Sequence, residues 1–314
     1  MEKIIIDTDP GIDDAVAIFY AINSGKFDIK GLTTVFGNVE VGMATTNALK
    51  LLEIAEQTHI PVAQGAARPL VYPYGGAIPH IHGDDGQGNV FSAPPATQAT
   101  EQTAVSFIIE QIMSQPGEIT LVPIGPLTNI ALALQLEPEI ASNVKRVVLM
   151  GGAALVPGNV NPAAEANIYN DPEAAKLVFE ASWDVTMVGL DVTHQVLMTE
   201  ADLYHFSESS KATAQYIGKI LPVYAEFATK LGMNGLYMHD ATAITYLLNP
   251  DLFDVKPYPL KVDLSGDGRG KTWVWSQPAD FPLEKFGYDS DNPVNVVISA
   301  DVAAANQLLL DIMC

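Results

Sequence analysis

Short, nearly continuous apolar runs alternate along the chain with longer stretches of helical periodicity. The runs at Lys3–Asp7, Gly31–Val35, Pro61–Ala63, Ile119–Pro123, Arg146–Met150 and Asp184–Leu190 predict strands. Most lack a polar alternate position, as expected of strands buried on both faces of a parallel sheet. Between them, Asp13–Asn23, Val41–Gln57, Glu101–Ser114, Leu127–Leu136 and Asp171–Ala181 predict helices. Asp171-Pro172-Glu173 reads as an N-cap, a proline at the first helical position and an acidic first turn. The alternation predicts an α/β fold: an open, mostly parallel, doubly wound sheet with helices on both faces. Residues 200–250 read as helical, and 258–298 as a small C-terminal β-rich appendage with a glycine-rich turn. Tyr72–Thr100 is rich in Gly, Pro and His with little periodicity, so it reads as a long surface loop, functional or mobile. No linker or repeat divides the chain, which is expected to be one domain spanning 1–314.

In open parallel sheets, ligands bind at the carboxyl ends of the strands. The first predicted strand runs into Asp7-Thr8-Asp9-Pro10-Gly11-Ile12-Asp13-Asp14, and the second into Phe36-Gly37-Asn38. The next ones lead to Ile124-Gly125-Pro126, Gly151-Gly152 and Asp191. Polar groups and pliable backbone therefore converge on one sheet edge. A helix N-terminus would account for Asp13 and Asp14 alone, by complementing the dipole. Four crowded carboxylates repel one another unless they are protonated or share a cation. Their oxygens suit a hard ion such as Ca²⁺ or Mg²⁺.

Composition narrows the partners. With 314 residues and 48% hydrophobic content, the chain can bury a sizeable core. Lys and Arg total 16 against 37 Asp and Glu, a formal charge of −21. Such a surface repels phosphate backbones, so neither nucleic acid nor an anionic membrane is expected as a partner. Cys314 is the only cysteine, so no intrachain disulfide can form and a reducing compartment fits. The opening MEKIIIDTDPG has too short an apolar run for a secretory signal, and no stretch has the length of a membrane span. The protein is expected to be soluble and cytoplasmic.

The segment IIIDTDPGIDDAVAI (4–18) resembles the signature of the inosine–uridine-type nucleoside hydrolases. The resemblance runs along nearly the whole chain, through TTVFGN (33–38), HIHGDDGQGN (80–89), LVPIGPLTNIA (121–131), VVLMGGA (147–153), NPAAEANIYNDPEAA (161–175), TMVGLDVTHQ (186–195) and MHDATAI (238–244). It implies an open α/β fold with Ca²⁺ at the base of a pocket. By resemblance, Asp9, Asp14, the Asp240 side chain and the Ile124 carbonyl are metal ligands, and the ribose 2′- and 3′-hydroxyls complete the shell. Asp9 is also the implied general base for water. Asp13, Asn38, Asn159, Glu165 and Asn167 match residues that hold the ribose hydroxyls. His239 is the implied general acid toward the base, and His82 is expected near the substrate on a loop over the pocket. Ala166 departs from a Phe common between that Glu and Asn, which alters the packing expected at the sugar's 5′ end. A ribonucleoside substrate and a homodimer or homotetramer follow from the same resemblance.

The residue types fit this chemistry independently. Ribose–base cleavage passes through an oxocarbenium-like transition state, as glycoside hydrolysis does. It calls for a base, charge stabilisation at the sugar and an acid, and a metal can orient both water and diol. Amides such as Asn159 and Asn167 offer donors and acceptors to hydroxyls.

Other readings compete. Asp7-Thr8-Asp9 after a first strand suits an aspartate-nucleophile phosphatase, although no Lys or Arg stands nearby in sequence to hold phosphate. A non-catalytic nucleoside-binding protein is the non-enzyme alternative. Asp240 could simply cap a helix starting at Ala241. His80 and His82 could form a zinc pair, but no third ligand is evident. Ser265–Thr272 nearly spells a phosphate loop, yet lacks its first Gly and runs into Trp273–Pro278, read as strand and turn; a hairpin is expected there. No G-x-G-x-x-G follows the first strand.

Overall fold

Isoleucines 4, 5 and 6 point alternately to the two sides of the first strand, and each side closes a separate hydrophobic core. The computed structural model describes residues 1–90, 93–276, 285 and 292–314. Its strands are β1 (Glu2–Thr8), β2 (Phe27–Thr34), β3 (Val62–Gln64), β4 (Ile119–Pro123), β5 (Arg146–Met150), β6 (Val185–Val188), β7 (Leu197–Met198), β8 (Leu236–Tyr237), β9 (Phe253–Tyr258), β10 (Leu260–Val262), β11 (Thr272–Val274) and β12 (Val294–Ala300). Eight of them form one sheet in the order β3-β2-β1-β4-β5-β6-β12-β9. Its pairs are parallel except β12 with β9.

Ile4 and Ile6 join Val122, Val148 and Val188 in one core, covered by helices Ile12–Ser24, Ala212–Lys230, His239–Leu248 and Val302–Met313. Ile5 joins Leu121, Val147 and Met187 in the other, under Ala104–Ser114, Thr128–Leu136 and Pro172–Glu180. Both faces of the sheet are thus buried, which explains why its strands read as unbroken apolar runs. All six strands expected from the sequence are present, and β2 begins earlier than expected, at Phe27.

Two differences stand out. The appendage expected over 258–298 is smaller, because β12 pairs with β6 and β9 with β12, placing both in the main sheet. Among the described residues of this region, the β10–β11 hairpin stands apart from the main sheet, and the near phosphate loop ends in its second strand rather than in a helix. Residues 277–284 and 286–291 of the expected appendage, including the end of the Trp273–Pro278 run, lie outside the described residues. So do residues 91 and 92 of the expected long loop. That loop is also less open than expected: it carries a short helix, Pro79–His82, and buries His82, Asp85 and Gln87.

The sheet order positions the site. From β1 the chain builds outward to β2 and β3 on one side, then returns to build β4, β5 and β6 on the other. The order reverses between β1 and β4, the place where an open α/β sheet forms its ligand crevice. Asp9 follows β1 and Ile124 follows β4, directly at that point.

Candidate active site

The loop after β1 is held by its own backbone and by two neighbours. Asp14, in the first turn of helix Ile12–Ser24, accepts from the Gly11 N–H at 2.9 Å and from Asn38 Nδ2 at 3.0 Å. Its other oxygen accepts from Thr8 Oγ1 at 2.5 Å and the Asp9 N–H at 3.2 Å. Asn47 Nδ2 donates to the Pro10 carbonyl at 3.1 Å, and Gln87 Nε2 donates to the carbonyls of Pro10 and Gly11 at 3.1 and 2.8 Å. The 80–89 stretch is therefore a clamp on the aspartate loop, a role the sequence reading did not assign to Gln87.

Asp7 and Asp9 each have one oxygen held and one buried oxygen without a hydrogen-bond partner among the described residues, but their surroundings differ. One Asp7 oxygen accepts from Thr33 Oγ1 at 2.5 Å and Asn129 Nδ2 at 2.8 Å, beneath the strand ends. Asp9 Oδ2 accepts from the Asn38 N–H at 2.6 Å, while its buried Oδ1 has no hydrogen-bond partner among the described residues. Backbone packs tightly around it: a methyl at Gly37 or Gly125 would collide with the Asp9 carboxylate.

Asp13, Asp14 and Asp240 each offer a carboxylate oxygen, and these atoms lie within 4.8 Å of one another. All three side chains are buried. Asp240 lies inside the first turn of His239–Leu248, whose N-cap is Met238, so it does not cap the helix. Burial, and then the charges of Asp14 and Asp13, push Asp9 well above the usual carboxylate range. Burial and repulsion from Asp13, Asp14 and Asp9 do the same to Asp240. Asp13 is raised to about 7 by burial and then Asp14. Asp14 is raised by burial, against the opposing hydrogen bonds from Thr8 and Gly11.

Four buried acids that cannot ionise together, one with an orphaned oxygen, fit a bound cation. The donors are all oxygens, which suits a hard divalent ion. The triplet whose oxygens lie within 4.8 Å of one another contains Asp13, where the ligand set implied by the resemblance has Asp9; Asp9 is close enough to the cluster to be repelled by Asp14 and Asp13 and to repel Asp240.

Above this floor opens a cavity of about 320 Å³. Asp13, Asn38, Ile124, Asp240, Asn159, Glu165, Ala166 and Asn167 are its polar and backbone lining. Asp9 and Asp14 are not among its lining residues; they lie buried. Glu165 caps the short helix Ala166–Asn170: its oxygens accept from the N–H groups of Asn167 (2.8 Å), Ile168 (3.1 Å) and Gly152 (2.8 Å). Burial raises its carboxyl against these donors. Asn167 Nδ2 donates to the carbonyls of Ile124 at 2.9 Å and Met150 at 3.1 Å, and Asn159 Oδ1 accepts from the Ala166 N–H at 3.0 Å.

The lining also has an apolar and aromatic part, with Ile81, Tyr224, Phe227, Met233 and Tyr237. His82 and His239 line the cavity as well. His82 Nδ1 accepts from the Ile12 N–H at 3.1 Å, and burial holds its ring down to about 3. His239 Nδ1 lies 2.8 Å from Thr193 Oγ1, and burial, then His194 and His82, hold this ring down to about 3. His80 stands against Phe227, ring centroids 5.9 Å apart, and belongs to no metal-binding cluster with His82 among the described residues. Among the described residues no Lys or Arg lines the cavity, so the phosphatase reading finds no phosphate holder there. No described helix is long and apolar enough to cross a membrane.

Residues 4–307 match the family model described as inosine-uridine preferring nucleoside hydrolase. The chain is 46% identical over 313 residues to a probable uridine nucleosidase 2 of Arabidopsis thaliana, covering 99% of this chain and 97% of that one. It is 45% identical over 267 residues to an inosine-uridine preferring nucleoside hydrolase of Leishmania major, covering 84% of each. The fold superposes on a purine-preferring ribonucleoside hydrolase from Gardnerella vaginalis with a TM-score of 0.92 at 31% identity, covering 99% of this chain and 98% of the other. The chain therefore belongs to the inosine-uridine preferring nucleoside hydrolase family and is a hydrolase that acts on ribonucleosides.

Proposed function

We propose that the enzyme is a Ca²⁺-dependent hydrolase of the N-glycosidic bond, releasing ribose and a free purine or pyrimidine base. The observation that carries the reading is the orphaned Asp9 Oδ1, buried among three further carboxylates at the foot of the cavity. Asp9, Asp14, Asp240 and the Ile124 carbonyl would hold the ion, which when bound orients the ribose diol and acidifies the attacking water. An all-oxygen donor set favours calcium over softer metals.

The chain's own residues do the rest. The Asn38 N–H fixes one Asp9 oxygen, leaving the other to take a proton from water. Asp13, Asn38, Asn159, Glu165 and Asn167 surround the sugar and hold its hydroxyls. Glu165 and Asn167 are themselves pinned by backbone groups, so their spare lone pairs and protons are preoriented. The base lies against the apolar wall, with His82 near it. His239 serves the departing base through Nε2, the ring nitrogen without a protein partner among the described residues. Relatives named for uridine and for purines occur together, so both base classes are expected as substrates.

A homodimer or homotetramer is the expected working form, supported by exposed apolar Leu155, Val160 and Trp273. The single Cys314 supports a cytoplasmic role in nucleoside salvage. The test is reducing-sugar release from the common nucleosides, with metal analysis of the same preparation. No release from any ribonucleoside by calcium-loaded enzyme would overturn the reading.

A further inference from the structure

Among the described residues, the His239 ring is hydrogen-bonded through one nitrogen only. Nδ1 lies 2.8 Å from Thr193 Oγ1. Thr193 is fully buried and ends the short helix Leu190–Thr193 that follows β6, whereas His239 opens a helix far later in the chain. The contact joins two separate elements at the carboxyl edge of the sheet. The Thr193 N–H bonds to the Gly189 carbonyl, and its hydroxyl has no other partner among the described residues.

A buried hydroxyl needs an acceptor for its proton. The acceptor within reach is His239 Nδ1. A neutral imidazole that accepts at Nδ1 carries its own proton on Nε2. The neighbouring rings cannot impose this. Tyr237 and His194 lie 5.5 and 5.6 Å from the His239 ring, centroid to centroid, and restrain its plane. Such contacts are nearly indifferent to a half-turn of the ring, because the terminal torsion of His is broadly two-fold. Only a directional hydrogen bond distinguishes one edge from the other.

We propose that Thr193 is a positioning residue of the reaction: by donating to Nδ1 it fixes the neutral His239 ring with Nε2–H turned toward the leaving base, so that Nε2–H donates a hydrogen bond to the negative charge that develops there, with no net proton transfer from the ring. The inference rests on the reading that His239 serves that base. Thr193 touches no substrate in this account and acts through His239.

The test compares two substrates, inosine and p-nitrophenyl riboside. Hypoxanthine needs help to depart, whereas p-nitrophenolate leaves unaided. Thr193→Val keeps the branched shape and removes the hydroxyl. It is expected to lower kcat on inosine roughly tenfold, the scale of one lost hydrogen bond, with KM and p-nitrophenyl riboside turnover held within about twofold. Thr193→Ser, which restores a hydroxyl, should recover inosine turnover to within about twofold of wild type. His239→Ala is measured beside them, and adding Thr193→Val to it should cost inosine turnover nothing further, because the two residues act as one unit.

Equal losses on both substrates in Thr193→Val would show a merely structural role and overturn the proposal. So would unchanged inosine turnover, or a Ser variant that fails to recover. If His239→Ala slows both substrates alike, the leaving-group reading of His239 falls, and the role of Thr193 with it. If His239→Ala is selective for inosine but Thr193→Val is not, only the role of Thr193 falls.

Discussion

Asp9→Asn separates catalysis from stability, because the same carboxylate is expected to help one and to burden the other. Asn keeps the shape of Asp and can still accept from the Asn38 N–H, which bonds Asp9 Oδ2 at 2.6 Å. It cannot take a proton from water, and loss of a general base costs roughly 10²–10⁴-fold in kcat. In chelator the stability effect has the opposite sign. Asp9 is buried and repelled by Asp14 and Asp13, and one of its oxygens has no partner. Replacing it by a neutral amide removes that penalty, so Tm in chelator should stay level or rise. With calcium the wild type gains by mass action, about 2.7 kcal/mol at a concentration of 100 Kd. Unfolding entropy of about 2.1 cal/mol/K per residue gives roughly 0.66 kcal/mol/K for 314 residues, hence a Tm rise of about 4 °C. The variant, with a weaker neutral ligand, should gain about 1 °C or less at the same calcium. Thermal unfolding in chelator and in calcium, beside kcat on inosine, reads all three effects. Near-wild-type kcat, or a calcium-induced rise equal to that of the wild type, refutes the assignment. A clear drop of Tm in chelator would show that the protein itself satisfies Asp9.

Inosine should be preferred over 2′-deoxyinosine by at least about 10²-fold in kcat/KM, since a site that holds a hydroxyl rejects its absence strongly; comparable values would remove the diol contact from the mechanism. Gly125→Ala should drive its methyl into Asp9 Oδ1 and Val35 Cγ1, and a shift of the base by about 1 Å costs roughly 10²-fold in kcat. Wild-type kcat in that variant would argue against Asp9 as the base. Asp171→Ala removes a cap to the Ala174 N–H and orphans Thr128 Oγ1 and the Leu70 N–H, so it should cost about 1–3 kcal/mol by chemical denaturation while leaving kcat nearly unchanged.

The sheet was legible where burial on both faces left a signature. β1, β4 and β5 carry consecutive apolar residues at their centres (Ile4–Ile6, Leu121 and Val122, Val147–Met150) because each lies between two cores, so short unbroken runs sufficed to find them. β9 carries no such signature. It lies at the edge, and Asp254, Lys256 and Pro257 are at least partly exposed along it. Its membership is decided by pairing with β12, a contact between distant segments that no local pattern records. The region 200–250 shows the same limit from the other side. Its helical character was legible, but it resolves into Glu200–Glu208, Ala212–Lys230 and His239–Leu248, with β8 opening a turn beside Gly235.

For the site, local spacing was informative only within the aspartate loop. Asp7 and Asp9 are two residues apart and each keeps one oxygen without a partner among the described residues, yet Asp7 is held by Thr33 and Asn129 while Asp9 stands against the charges of Asp14 and Asp13. Spacing alone cannot tell them apart, because the difference is made by β2, by helix Thr128–Leu136 and by the glycines that close on Asp9. Asp240 read as a helix cap until the resemblance named it, and the fold places it in the first turn, two residues past the Met238 cap, with a carboxylate oxygen within 4.8 Å of those of Asp13 and Asp14. Thr193 carried no signal at all, since a threonine after an apolar strand is ordinarily a cap or core residue. These residues share one physical trait that only the fold reveals. Elsewhere in the interior, buried acids are given donors, as Asp171 and Asp191 are by backbone N–H groups. Beneath the cavity donors are supplied too, four of them to Asp14, but there Asp9, Asp13, Asp14 and Asp240 are also gathered against one another, and that repulsion adds to burial in pushing them toward their neutral forms. A fold optimised for stability alone would replace or pair them. Their retention at the strand-order reversal therefore argues that a cation and a polar substrate supply, in the working enzyme, the partners that the protein withholds.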